Sequence, residues 1–200
     1  GKSTVARRIA QSMGLVFVNS GEMYRAFTWW VLHNDLDPAD TEAVIDLLKD
    51  TTFESGEEGG VGTISVQGRR LGREELKSDA VNGAVSQVSA IPQVRARLVS
   101  EQRTYADQGS VVMEGRDIGT VVFPDTPFKF FIDAAPEIRA ARRKAEGIED
   151  SVEARDLADS MRKSSPLKIA SDAMVIDSSH LDIEEVVQLT LDAIQWKKAA

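Results

Sequence analysis

Apolar positions along the chain change period several times, and each change marks an element. Val5, Ile9 and Met13 recur at helical spacing ahead of Gly14, a residue suited to end a helix. Leu15-Val16-Phe17-Val18 is then a continuous apolar run, the pattern of a strand buried on both faces. Asn19-Ser20-Gly21 closes it and starts a second helix bearing Met23, Tyr24, Phe27, Trp30 and Val31. Turn chemistry at Asp37-Pro38-Ala39-Asp40 precedes a short amphipathic helix through Val44, Leu47 and Leu48. Between Asp50 and Arg73 the texture changes: Glu54 to Gly62 is rich in glycine and glutamate, and Val61 to Val66 alternates like a half-exposed strand. That stretch predicts a small antiparallel insertion. Helical patterning returns near Ser78 and again at Pro92, with Ile91, Val94, Leu98 and Tyr105 on one stripe. Ser110–Met113, Phe128–Asp133 and Ala173–Asp177 read as further strands. Pro136 opens an arginine-rich helix, and Asp182 with Glu185 caps a closing helix that bears Ile183, Val186, Val187, Leu191 and Ile194. Strands separated by helices predict an α/β fold, a parallel sheet covered on both faces, with ligands at the carboxyl ends of the strands.

Composition narrows what such a fold can do. Two hundred residues suit one domain with a sizeable core. No apolar run approaches the roughly 18 residues of a membrane span. A net charge of −8 argues against a broad surface for nucleic acid or anionic membrane, so an anion site has to be a local basic cluster. Cysteine is absent, which excludes disulfides, thiolate metal sites and a cysteine nucleophile, and agrees with a cytoplasmic location. His33 and His180 have no partner at metal or catalytic spacing, and Trp29-Trp30 reads as core rather than as a platform for bases.

Four clusters carry chemistry. Gly1-Lys2-Ser3-Thr4 is the second half of a P-loop, G-x-x-x-x-G-K-[ST], whose lysine reaches phosphates and whose hydroxyl holds Mg²⁺. The tetrad also fits an exposed turn, but here it opens directly into a helix, the context that favours anions. The sequence enters the motif midway, which implies upstream residues and a strand that feeds the loop. Ser20 at a helix start and Arg25 further along it suit a phosphate, against the plainer reading of an N-cap and a solvated arginine. Glu114-Gly115-Arg116-Asp117 follows an apolar run, where P-loop proteins place an acidic residue near the metal and its waters, although charged turns after strands are common. Arg155, Asp159 and Arg162 line one helical face, as a closing flap over a transferring phosphoryl group requires, with Arg142 and Arg143 on the preceding helix. An ordinary surface helix with ion pairs is the bland alternative.

Read together, GKSTVARRIA, VNSGEMYRA, AVSQVSAIPQVRARL, VVMEGRDIGTVVFPD and RDLADSMRKSSPLKIASDA resemble bacterial cytidylate kinase in order and over nearly the whole chain. The resemblance implies a P-loop nucleoside-monophosphate-kinase fold in three layers: one kinase domain over 1–200, truncated within its P-loop, with a monophosphate-binding insertion at 35–96 and a short lid at 142–165. It implies γ-phosphoryl transfer from ATP to CMP or dCMP with Mg²⁺. By position, Gly1, Lys2, Ser3, Thr4 and Arg142 belong with ATP, and Ser3 and Glu114 with the metal, Glu114 through water. Ser20, Arg25 and Arg116 belong with the CMP phosphate. Ser86, Arg95 and Asp117 belong with cytosine, while Arg155, Asp159 and Arg162 reach the nucleotide from the lid. Lys2, Arg116, Arg155 and Arg162 are the catalytic cations. The expected protein is a cytoplasmic monomer with no nucleic-acid or membrane partner. The alternatives are a non-catalytic or degenerate P-loop nucleotide-binding module, or another small-molecule P-loop kinase.

Overall fold

The structure, a computed structural model, describes residues 1–145 and 168–199. It divides into two compact units, one of residues 14–115 and one of 1–13 with 116–200.

In the 14–115 unit, β1 (Val16–Asn19) leads into α2 (Ser20–His33), followed by α3 (Thr41–Lys49). β2 (Phe53–Glu58), β3 (Val61–Val66) and β4 (Arg69–Arg70) come next, then α4 (Arg73–Leu76), α5 (Asp79–Val88), α6 (Pro92–Gln108) and β5 (Val111–Glu114). The sheet runs β2-β3-β1-β5, with β4 on β3. β1 is parallel to both β3 and β5, and β2–β3 is the antiparallel hairpin that the alternation at Val61–Val66 predicts. Phe17 and Val18, which point to opposite faces of β1, are both 1% exposed, so this strand is covered on both sides.

Local chemistry explains why the helices start where they do. Asn19 caps α2 by accepting from the Gly21 amide at 3.0 Å, Asp40 caps α3 through Ala43, and Ser78 caps α5 through Val81. Pro92 opens α6, where its missing N–H costs nothing. The interior of the unit is Val18, Met23, Phe27, Val31, Val44, Val66, Val88, Val94 and Leu98 with their neighbours.

The second unit holds α1 (Lys2–Met13), a π-helical turn (Ile118–Val122), β6 (Phe130–Asp133), α7 (Pro136–Ala145), β7 (Met174–Asp177) and α8 (Ile183–Ala199). Gly14 follows α1 at φ +65°, a conformation glycine adopts without cost. β6 and β7 pair in parallel from Phe130↔Met174 to Asp133↔Asp177. Full cover of the last strand was expected; among the described residues β7 buries Ile176, while Met174 and Val175 are exposed. α1 buries Val5, Ala6, Ile9 and Ala10 and packs with α8, which buries Val186, Val187, Thr190 and Ile194. The predicted cap of α8 forms a reciprocal box: the Glu185 amide donates to Asp182 Oδ1 at 2.9 Å and the Asp182 amide to Glu185 Oε2 at 2.8 Å. No helix among the described residues is long and apolar enough to cross a membrane.

Candidate active site

Parallel pairing of β1 with β5 sets the site in the 14–115 unit. The register runs from Val16↔Val111 to Asn19↔Glu114, so the two strands end level, side by side. Carboxyl ends of adjacent parallel strands are where α/β folds receive ligands. Ser20 leaves the end of β1 as the first residue of α2 and is 4% exposed. Glu114 is the last residue of β5 rather than part of the turn beyond it, and it is half-buried.

Arg25, farther along α2, is half-buried, and its Nη1 donates to the Leu76 carbonyl at 3.2 Å and to Asn82 Oδ1 at 2.6 Å. Asn82 is itself held by the Lys77 carbonyl, to which its Nδ2 donates at 2.8 Å. The turn between α4 and α5 thus sets the direction of the guanidinium. Ser86 is exposed on α5, and its carbonyl accepts from Ser89 Oγ at 3.3 Å. Arg95 is 4% exposed on α6; its Nη1 donates to the Ser89 carbonyl at 3.1 Å, and its guanidinium lies 5.1 Å from the centroid of the Tyr24 ring. Ser86 and Arg95 are therefore tied to the same residue, Ser89, at the end of α5.

In the other unit, Lys2, Ser3 and Thr4 form the exposed first turn of α1, which contains no acidic residue. The Gly1 carbonyl accepts the first helical bond, from Val5 at 3.1 Å. A helix start is the positive end of the helix dipole, which favours phosphate.

Arg116 and Asp117 lead into the π-helical turn. The Asp117 carbonyl accepts from the amides of Thr120, Val121 and Val122 at 3.3, 2.8 and 3.3 Å, and from Thr120 Oγ1 at 3.3 Å. Ile118, Thr120, Val121 and Val122 are β-branched, a poor composition for a continuing α-helix, and the winding stops at one turn. Asp117 is 4% exposed and Arg116 half-buried. Sequence reasoning found both residues but missed this winding, because hydrogen bonds to one carbonyl leave no trace in side-chain periodicity.

Arg142, on α7, is engaged with the loop after β7: Nη2 donates to the carbonyls of Ser178 at 2.8 Å and Leu181 at 3.3 Å, and Nη1 to Ser178 Oγ at 3.2 Å. That loop is ordered further by Asp177, whose carboxylate accepts from the Ser179 hydroxyl and amide and is thereby held below its usual pKa. Arg155, Asp159 and Arg162 lie outside the described residues, as does most of the expected lid.

The profile of the family described as cytidylate kinase matches residues 1–196. A cytidylate kinase of Streptomyces avermitilis is 37% identical over 209 residues, spanning all of this chain and 90% of the relative. One from the Loch Maree strain of Clostridium botulinum is 40% identical over 200 residues, 94% of this chain and 89% of its own length. A third, from Lactobacillus gasseri, is 38% identical over 209 residues and covers 99% of this chain. With a family profile matched from end to end, and relatives this similar matched over most of their own length, the chain belongs to the cytidylate kinase family.

Proposed function

We propose a division of labour among these residues for a chain that, as a cytidylate kinase, phosphorylates CMP or dCMP with ATP. Gly1, Lys2, Ser3, Thr4 and Arg142 bind ATP, Lys2 reaching its phosphates. Ser20, Arg25 and Arg116 bind the phosphate of CMP. Ser86, Arg95 and Asp117 read the base. Arg155, Asp159 and Arg162 close over the phosphates from the lid.

The acceptor is already a phosphate monoester, largely dianionic near neutral pH, so no covalent nucleophile is needed. Positioning and neutralisation of charge carry the reaction. Mg²⁺ fits the donors: the Ser3 hydroxyl and the Glu114 carboxylate are hard oxygen ligands, Glu114 acting through water. Ser3 and Glu114 would hold it, and bound with ATP it would supply positive charge to offset the charge that develops during transfer. For location and assembly the reading is a cytoplasmic monomer without nucleic-acid or membrane partners, in keeping with the net charge of −8.

The observation that carries this reading is the level ending of β1 and β5, from which Ser20 and the Glu114–Asp117 segment depart. Base selectivity is its sharpest test. A carboxylate accepts from the cytosine N4 amino group and repels the uracil O4, whereas an asparagine amide serves either. Asp117→Asn is expected to lower the ratio of kcat/KM for CMP over UMP by about tenfold to a hundredfold. An unchanged ratio in steady-state kinetics removes Asp117 from base recognition.

A further inference from the structure

Among the described residues, phosphoryl transfer as described leaves one buried cation unused: Lys129, one residue ahead of β6. Its side chain is 6% exposed, and lysines almost never go so deep without a partner. The ammonium donates to Asp172 Oδ2 at 2.6 Å and to the Pro124 carbonyl. Asp172 itself is 58% exposed, so the pair runs from the interior of this unit to its surface. The methylene stem lies against the π-helical turn: a Cβ on Gly119 would sit 3.3 Å from both Cγ and Cδ of Lys129. The Lys129 carbonyl accepts from the Met174 amide at 2.9 Å, which adds β7 to the set.

We propose that Lys129 is a positioning residue that latches the turn from Arg116 to Pro124 onto β6 and β7, and through Asp117 sets selectivity for cytosine over uracil nucleotides. This rests on the assignment of Asp117 to the base. The amides of Thr120, Val121 and Val122 all converge on the Asp117 carbonyl, so the turn and Asp117 move as one piece. Lys129 holds that piece by packing at Gly119, two residues past Asp117, and by a hydrogen bond at Pro124, where the segment leaves for β6. A lysine suits both tasks, since its stem packs while its head is bonded. Misplacement of a recognition group by about 1 Å costs up to a hundredfold in rate, so a latch remote from substrate is enough to govern selectivity.

Lys129→Met keeps most of the stem and removes the ammonium; Asp172→Asn removes the charge partner at the surface. Both are compared with Asp117→Asn in the full chain, by amide hydrogen exchange at residues 120–122 and by kinetics with CMP, UMP and ATP. Lys129→Met is expected to speed exchange at those amides and to lower the CMP/UMP ratio by about tenfold, mainly through KM for CMP, with KM for ATP within about twofold of wild type. Asp172→Asn moves both readouts the same way. A folded variant with unchanged exchange, or with an unchanged ratio while Asp117→Asn shifts it, overturns the role of Lys129 and leaves the base assignment standing. An unchanged ratio in Asp117→Asn overturns the base assignment, and the selectivity role of Lys129 with it. Should Lys129→Met fail to fold, Asp172→Asn decides.

Discussion

Arg116 and Arg25 are the two cations proposed above to bind the CMP phosphate. Arg116 sits two residues beyond the end of β5, beside the turn wound on Asp117. Arg116→Ala is expected to reduce kcat/KM for CMP by about a hundredfold or more, the usual cost of losing a charged donor that acts on a transferring or accepting phosphate. Arg25 is directed by Asn82 at 2.6 Å. Asn82→Ala removes one of the bonds that direct the arginine, so KM for CMP is expected to rise about threefold with kcat retained; an unchanged KM would mean that Asn82 does not set its direction. Asp172 gives a prediction in pH. Its pKa in the folded protein is lowered, first by the Lys129 hydrogen bond. A depressed carboxyl contributes stability that is fully present above its unfolded value of about 4 and is lost as pH falls through the folded value. Thermal melts on the acid side should therefore fall more steeply with decreasing pH for wild type than for Asp172→Asn, and parallel curves would deny the pair any such contribution.

Elements follow from a few short signals, and their strength can be measured one at a time. The Asp182–Glu185 box starts α8, so Asp182→Ala is expected to cost about 1 kcal/mol, read as a fall in Tm of about 2–4 °C. The hairpin depends on a close approach: a Cβ at Gly62 would lie 2.8 Å from Val18 Cγ2 and 3.0 Å from Tyr105 Cε1. Gly62→Ala should cost about 1–3 kcal/mol by forcing β3 away from β1; a wild-type denaturation midpoint would show that the side chains yield instead. These same elements mark what the sequence reveals. Asn19, Ser78, Pro92 and Asp182 each announce a helix start by local chemistry, and the starts lie where those residues stand. The π-helical turn was hidden because its bonds gather on a backbone carbonyl. Lys129 was hidden for another reason: between Phe128 and Phe130 it reads as an outward position on a strand, and its partner Asp172 is 43 residues away. Arg95 was expected on cytosine, yet its burial and its bond to Ser89 depend on how α5 meets α6, which no spacing on one helix reports.

At the scale of the whole molecule, residues assigned to ATP at the start of α1 belong to one compact unit, and Ser20, Arg25, Ser86 and Arg95, assigned to the acceptor, belong to the other. Arg116 and Asp117 begin the first of these units where the chain leaves β5. The α/β class and the kinase reading were legible at this scale because the motifs run in order along nearly the entire chain, as the family match over residues 1–196 bears out. The lid residues Arg155, Asp159 and Arg162 stay with the motif that names them. The most direct measurement is ADP formation from ATP and Mg²⁺ by the natural protein, with CMP, dCMP, UMP, AMP and shikimate offered in parallel. Fast turnover with CMP and dCMP, weak turnover with UMP and none with AMP or shikimate is the expected result. Turnover with none of them by folded protein that binds ATP, or equal turnover of CMP and UMP, would contradict the account.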